Sequence, residues 1–324
     1  MRSKNMGYIF RTFGFLVFSA TLFAANDALA GQSLGGVINN IIVSSRNVPS
    51  LFAGFSYLFG LILGVMGILK LKEHVEAPNQ VSIWEPSKRF IAGGAFLVLP
   101  YMVNVVYNTI TNGNNAVLQA RGYNTGGVSG EGLDAKLVNL MSDIWGPMQF
   151  LMTGFCYIAG IILLMIGISR LLKSEQEGPR GPMGLGTIMT FMVAGILLSV
   201  NQTVGAAVNS IFDGGALTYA GLAYTAGMDG DAVGHSNAVI GAIMAFVAIV
   251  GWISFIRGFF IIRGVSEGSG QASMMAAVTH IIGGAVAINL GGIIAAVQET
   301  LGINELGLEI SSLEPYITSV TFIV

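Results

Sequence analysis

The 324-residue chain is 53% apolar and only 10% charged, with 45 glycines, and its net charge is −2. Ordinary soluble domains carry about 25% charged residues, and the mean hydropathy of +0.72 points the same way; an ordinary soluble fold is excluded. The near-neutral charge supplies no field for direct nucleic-acid binding, and a lone cysteine, Cys156 in an apolar run, excludes a disulfide framework or a cysteine-based metal site. The class expected is an all-α polytopic membrane protein.

In chain order, residues 1–30 read as a cleavable signal peptide. Arg2, Lys4 and Arg11 form a basic start, Phe13–Ala25 a short apolar core, and Ala28–Ala30 an A-x-A cleavage site. A periplasmic segment, 31–50, comes after it. Six apolar segments come next, at 51–69, 90–110, 148–169, 185–208, 238–262 and 276–297, each long enough to cross a bilayer with some tilt. They pair into three helical hairpins, 51–110, 148–208 and 238–297. Linkers 111–147 and 209–237 join the hairpins, and an acidic tail, 298–324, carries Glu299, Glu305, Glu309 and Glu314. The tail ends in the β-prone "YITSVTFIV", suited to adding to a sheet edge.

The hairpins repeat. "GFSYLFGLILGVMGILKL" from Gly54 and "GFCYIAGIILLMIGISRL" from Gly154 share nine identities in eighteen positions without a gap, and Lys70 falls on Arg170. The third hairpin is more distant; "GWISFIR" sets Gly251 against Gly64 and Arg257 against Lys70. In the return helices Gly94, Gly195 and Gly283 are followed six residues on by Pro100, Asn201 and Asn289, and Asn104 lies one turn beyond Pro100. Asn104, Asn201 and Asn289 are therefore expected as polar intramembrane contacts between helices, each worth about 0.6–2 kcal/mol, or as the lining of a polar pathway. His280, in the sixth segment, joins them as an ionisable group near the cytoplasmic boundary.

Charge sets the orientation. The three tight loops and their borders hold nine basic residues: Lys70, Lys72, Lys88, Arg89, Arg170, Lys173, Arg180, Arg257 and Arg263. The mature N-terminus, the linkers and the tail hold Arg46, Arg121 and Lys136 alone. Positive-inside puts the tight loops in the cytoplasm and both termini in the periplasm, as a cleaved signal peptide also requires. Lys70, Lys72, His74, Pro78, Gln80, Arg170, Arg257 and Arg263 are the candidate contacts to partner subunits or anionic lipids there.

Catalytic signatures are absent. There is no GxxxxGK[ST], HExxH, GxSxG or CxxC, and His74, His235 and His280 fall on different sides or depths. No acidic residue lies deep in a predicted span, as a proton-coupled carrier needs. The expectation is a protein without enzymatic activity, cofactor or metal.

"KLKEHVEAPNQVSIWEPSKRFIAGGAFLVLP" (Lys70–Pro100) resembles the conserved block of the IcmD/DotP inner-membrane proteins of the Dot/Icm type IVB secretion system. "SFIRGFFIIRGVSEGSGQASMMAAVTHIIGGAVAINLGG" (Ser254–Gly292) resembles the IcmC/DotE group, akin to IncI conjugal transfer proteins. Small members of these families carry one or two hairpins where this chain has three. The resemblance implies a non-catalytic component of the bacterial inner membrane, in a secretion or conjugation apparatus, with other secretion-system membrane subunits as partners. A small-solute channel or carrier built from the three repeats is the alternative.

Overall fold

The computed structural model describes residues 33–45, 48–111, 132–173, 175–181, 184–211, 218–222, 230–268, 273–303 and 308–312. The expected signal peptide, most of the linker 111–147 and the terminal "YITSVTFIV" lie outside them. The chain forms two compact units, Met1–Tyr101 and Met102–Val324.

The first unit holds α1 (Leu34–Ser45), α2 (Val48–Glu76) and the start of α3 (Trp84–Thr111). Helix α2 is apolar on every side, and Leu58, Leu61, Val65, Ile68 and Leu69 are all exposed on it. A helix apolar all round is stable only inside protein or lipid, and the described residues of its own unit leave most of this one uncovered. Its inner line is made of small residues. A Cβ on Gly60 would stand 2.7 Å from Leu97 and 2.9 Å from the Gly93 carbonyl, and one on Gly67 would stand 3.1 Å from the Phe90 ring. The Ser56 hydroxyl donates to the Phe96 carbonyl, and the Phe59 and Phe96 rings stack 6.0 Å apart.

The second unit contains α4 (Leu133–Arg170), a 3-10 turn (Glu175–Arg180), α5 (Leu185–Leu198), α6 (Val200–Ile211), β1 (Thr218–Leu222), α7 (Gly230–Ser266), α8 (Met274–Ile288), α9 (Leu290–Leu301) and β2 (Leu308–Ser312). Its core joins Cys156 and Leu163 of α4, Val193 and Leu197 of α5, Phe255 and Phe259 of α7, and Ala285 and Ile288 of α8. Helices α4 and α5 meet where Gly160 faces Leu198 and Ala194, and Gly167 faces Phe191. Helices α7 and α8 meet where Gly251 faces Gly284 and Ile288, and Gly258 faces Ile281 and Ala277. Each outgoing helix thus presents two glycines seven residues apart, two helical turns on one face, to its return helix.

Three runs are long and apolar enough to cross a membrane: Leu34–Glu76, Leu133–Arg170 and Gly230–Ser266. The return segments 185–208 and 276–297, expected as single spans, are each two helices. Leu185–Leu198 and the helix after it are bent by 86°, and Met274–Ile288 and Leu290–Leu301 by 79°; counting each bent pair as one span raises the total to five. The first return segment, expected at 90–110, falls in Trp84–Thr111, a helix whose side chains after Tyr101 lie outside the described residues. The bends fall at Ser199 and Asn289, the C-caps of α5 and α8, whose backbone N–H groups donate to the Gly195 and Ala285 carbonyls; the Ser199 hydroxyl also donates to the Gly195 carbonyl at 2.9 Å. With 14 and 15 residues, α5 and α8 are about 21–22 Å long, short of the roughly 30 Å hydrocarbon core.

The linker and the tail meet. β1 pairs antiparallel with β2, Thr218 opposite Ser312 and Leu222 opposite Leu308. The tail therefore does supply a strand, in "LEISS" and to this chain's own linker.

Candidate functional site

The second unit is pinned at both ends of α4 and α7. At one end His235 Nε2 lies 2.5 Å from Asp134 Oδ2; at the other Arg170 Nη2 lies 2.8 Å from Glu267 Oε1. Each pair joins matching ends, so the two long helices run parallel. The described residues that come after them, 175–181 and 267–268, therefore share one end of the unit.

That end is the most polar buried place among the described residues. Arg170 closes α4 and is almost wholly buried. It donates to the Gly186 carbonyl at 3.2 Å, to Thr190 Oγ1 at 3.0 Å and to Glu267. Arg263, one turn before Glu267 on α7, donates to the same carboxylate at 2.6 Å. Arg180 reaches its other oxygen at 3.8 Å. The side chain of Glu267 is only 13% exposed. Burial alone would raise its pKa. The hydrogen bond from Arg170 and the charges of Arg263 and Arg170 outweigh that and hold the carboxyl below its ordinary value. The packing is close: a Cβ on Gly186 would lie 2.7 Å from the Pro179 carbonyl and 3.0 Å from that of Ser266. Gly178 and Gly268 turn the chain with φ of 59° and 77°, backbone that favours glycine.

Arg170 and Arg263, expected as contacts to partners or lipid, are thus spent inside the protein. Glu267, their shared acceptor, went unmarked in the sequence; an acid four residues after Arg263 was the available signal. Arg257 is different. It is exposed on α7, nine residues before the helix ends, and no salt bridge to it occurs among the described residues. Its stem can run along the helix to bring the guanidinium to the interface. The packing also moves its register. Gly251 holds the place of Gly60 and Gly160, not of Gly64, because the glycine seven residues on is Gly258. Arg257 then matches Met66, and the counterpart of Lys70 in the third hairpin is Ile261.

In the first unit, Lys70 pairs with Glu73 on the same helix, and Lys72 with Glu76 at 3.5 Å. His74 Nδ1 lies 2.5 Å from the Val81 carbonyl and closes the turn, in which Pro78 and Gln80 are exposed.

The polar intramembrane set divides. Thr153 Oγ1 donates to Asn201 Oδ1 at 3.3 Å, while Asn289 is 1% exposed at the bend of α8. The side chain of Asn104 lies outside the described residues, and His280 is half-buried, its carbonyl accepting from the Ser254 hydroxyl at 3.2 Å. Thr153 stands 17 residues, about 25 Å, from Arg170 along α4. Asn201 and Asn289 therefore sit at the two bends, far from the basic end. Neither of two open clefts, of about 420 and about 260 Å³, is lined by them.

The chain matches no protein-family model, no curated protein and no solved structure.

Proposed function

We propose that this chain is a non-catalytic structural component of a bacterial inner membrane, built from three hairpin repeats, and that it serves a type IVB-like secretion or conjugation apparatus. One observation carries the structural part. In each hairpin, paired glycines seven residues apart seat the return helix, and in the second unit two such hairpins stand parallel, clamped through Arg170 and Glu267. Such a design spends its polar groups on holding helices together. Lys70–Pro100 and Ser254–Gly292 support the secretion part by their resemblance to the IcmD/DotP and IcmC/DotE proteins.

In this reading each hairpin enters and leaves from the periplasmic side. Its basic turn lies in the cytoplasm, and six segments reach into the bilayer. The second and third return segments end in right-angle elbows near the periplasmic interface, where short helices can lie flat. The test is detergent extraction of the tagged chain from its native envelope. Secretion-system membrane subunits should co-purify, and deletion of the gene should stop substrate transfer. Normal transfer in the deletion strain would reject the reading. So would solute flux through proteoliposomes holding the chain alone, the mark of the channel alternative.

A further inference from the structure

The clamp between the second and third hairpins has a donor and an acceptor, and the glycine register places their counterparts in the first hairpin. Arg170, the donor, lies ten residues after Gly160; ten after Gly60 is Lys70, and ten after Gly251 is Ile261. Glu267, the acceptor, lies sixteen after Gly251; sixteen after Gly60 is Glu76, and sixteen after Gly160 is Gln176. The helper arginine is matched too: Arg263 and Glu267 pair at i,i+4, as do Lys72 and Glu76. The second hairpin therefore holds a donor without a carboxylate at the acceptor position, and the third an acceptor without a cation at the donor position. The first holds both.

These charges are used differently. In the clamp the side chains of Arg170 and Glu267 are 8% and 13% exposed. In the first hairpin Lys70 and Glu76 are 36% and 63% exposed, and among the described residues their ion pairs run along their own helix. Exposed pairs of that kind contribute little, being solvent-screened, so they yield readily to a better partner. A position with donor and acceptor on different sides of one hairpin is complementary to itself by translation. Copies inserted in one membrane share one orientation, so the parallel contact of α4 with α7 can be reproduced between them.

We propose that the first hairpin binds a second copy of this chain, head to tail, with Lys70 of one copy seated on Glu76 of the next. The contact is heterologous. It builds a ring where the rotation closes and an open row where it does not. The proposal rests on the repeat register and is independent of any role in secretion.

The full-length chain carrying Cys156→Ala supplies the background for the test. One tagged copy bears Lys70→Cys and a differently tagged copy Glu76→Cys, co-expressed and treated in membranes with a short bis-maleimide. A cross-linked band carrying both tags is expected. In cysteine-intact protein reconstituted in nanodiscs, Lys70→Glu or Glu76→Lys should each cut the associated fraction by about tenfold or more. The double exchange Lys70→Glu with Glu76→Lys should restore it. Cross-links confined to single chains, monomers at all concentrations, or an unrescued double exchange would each overturn the proposal. An intramolecular disulfide between Gly60→Cys and Leu97→Cys reports the register separately. If it forms while the copies stay monomeric, the proposal alone fails; if it does not form, the register fails with it.

Discussion

At the residue scale, identical glycines carry different loads. Gly154 and Gly160 recur from the first hairpin at Gly54 and Gly60. Yet a Cβ on Gly154 meets nothing within 4 Å, while one on Gly160 meets Leu198 at 2.8 Å and the Ala194 carbonyl at 3.1 Å. Gly160→Ala should destabilise the protein in detergent by about 1–3 kcal/mol, because the Leu198 side chain and the Ala194 carbonyl must both give way in a close-packed contact. Gly154→Ala should be neutral or stabilising by up to about 1 kcal/mol. Paired thermal melts check both. The Glu267 clamp sets a second expectation. Its folded-state pKa lies below the ordinary 4.5, so its stabilisation is fully present above pH 4.5 and is lost as pH falls through the depressed value. Melting temperature should drop over that acid range in the native chain, and Glu267→Gln should flatten that part of the profile. The sequence showed the cations and, through the i,i+4 spacing to Arg263, one link to their acceptor, but nothing local marks the contact of Glu267 with Arg170, 97 residues away.

At the element scale, the elbows are the main departure from expectation. Averaged hydropathy stays high across 185–208 and 276–297 despite the polar residues Asn201, Gln202 and Asn289, and a single span is the natural reading of each. In the first of these the break is made by the packing of α6. Val200, Val204 and Val208 form one buried stripe on that helix and join the core shared by α4, α5, α7 and α8. An apolar stripe that finds protein at a right angle outweighs continuation into lipid, where burial against a neighbour gains no hydrophobic energy. Val204→Asp should therefore release α6 from the core at a cost of several kcal/mol. Gln202→Asp, on the exposed side of the same helix, should cost less than about 0.5 kcal/mol. Protease protection of the 200–211 segment in detergent separates the two outcomes.

At the scale of the whole molecule, the parallel pairing of α4 with α7 and the β1–β2 ribbon make a definite arrangement. Impermeant cysteine labels in the Cys156→Ala chain should find residues 75, 178 and 273 on the cytoplasmic side and residues 220 and 310 together on the other. A periplasmic location for any of the three loop positions would refute the topology. Much of this was legible in the chain. Its low charge and its apolar runs are one-dimensional properties that lipid reads directly, so the membrane class follows from them. The outgoing-helix repeat was legible between the first two hairpins, where identity is dense. In the third it was set four residues out, because Gly251 can be aligned with either Gly60 or Gly64 until Gly258 is seen to touch Ile281. The sequence by itself determined where apolar rods begin and end and which bends are cationic, because partition into lipid depends on composition over some twenty residues. Only the tertiary structure decided that Arg170 reaches Glu267, that two return segments turn at Ser199 and Asn289, and that the tail's strand closes on the linker. Those outcomes depend on which faces meet across large separations along the chain, and close packing, not composition, selects them.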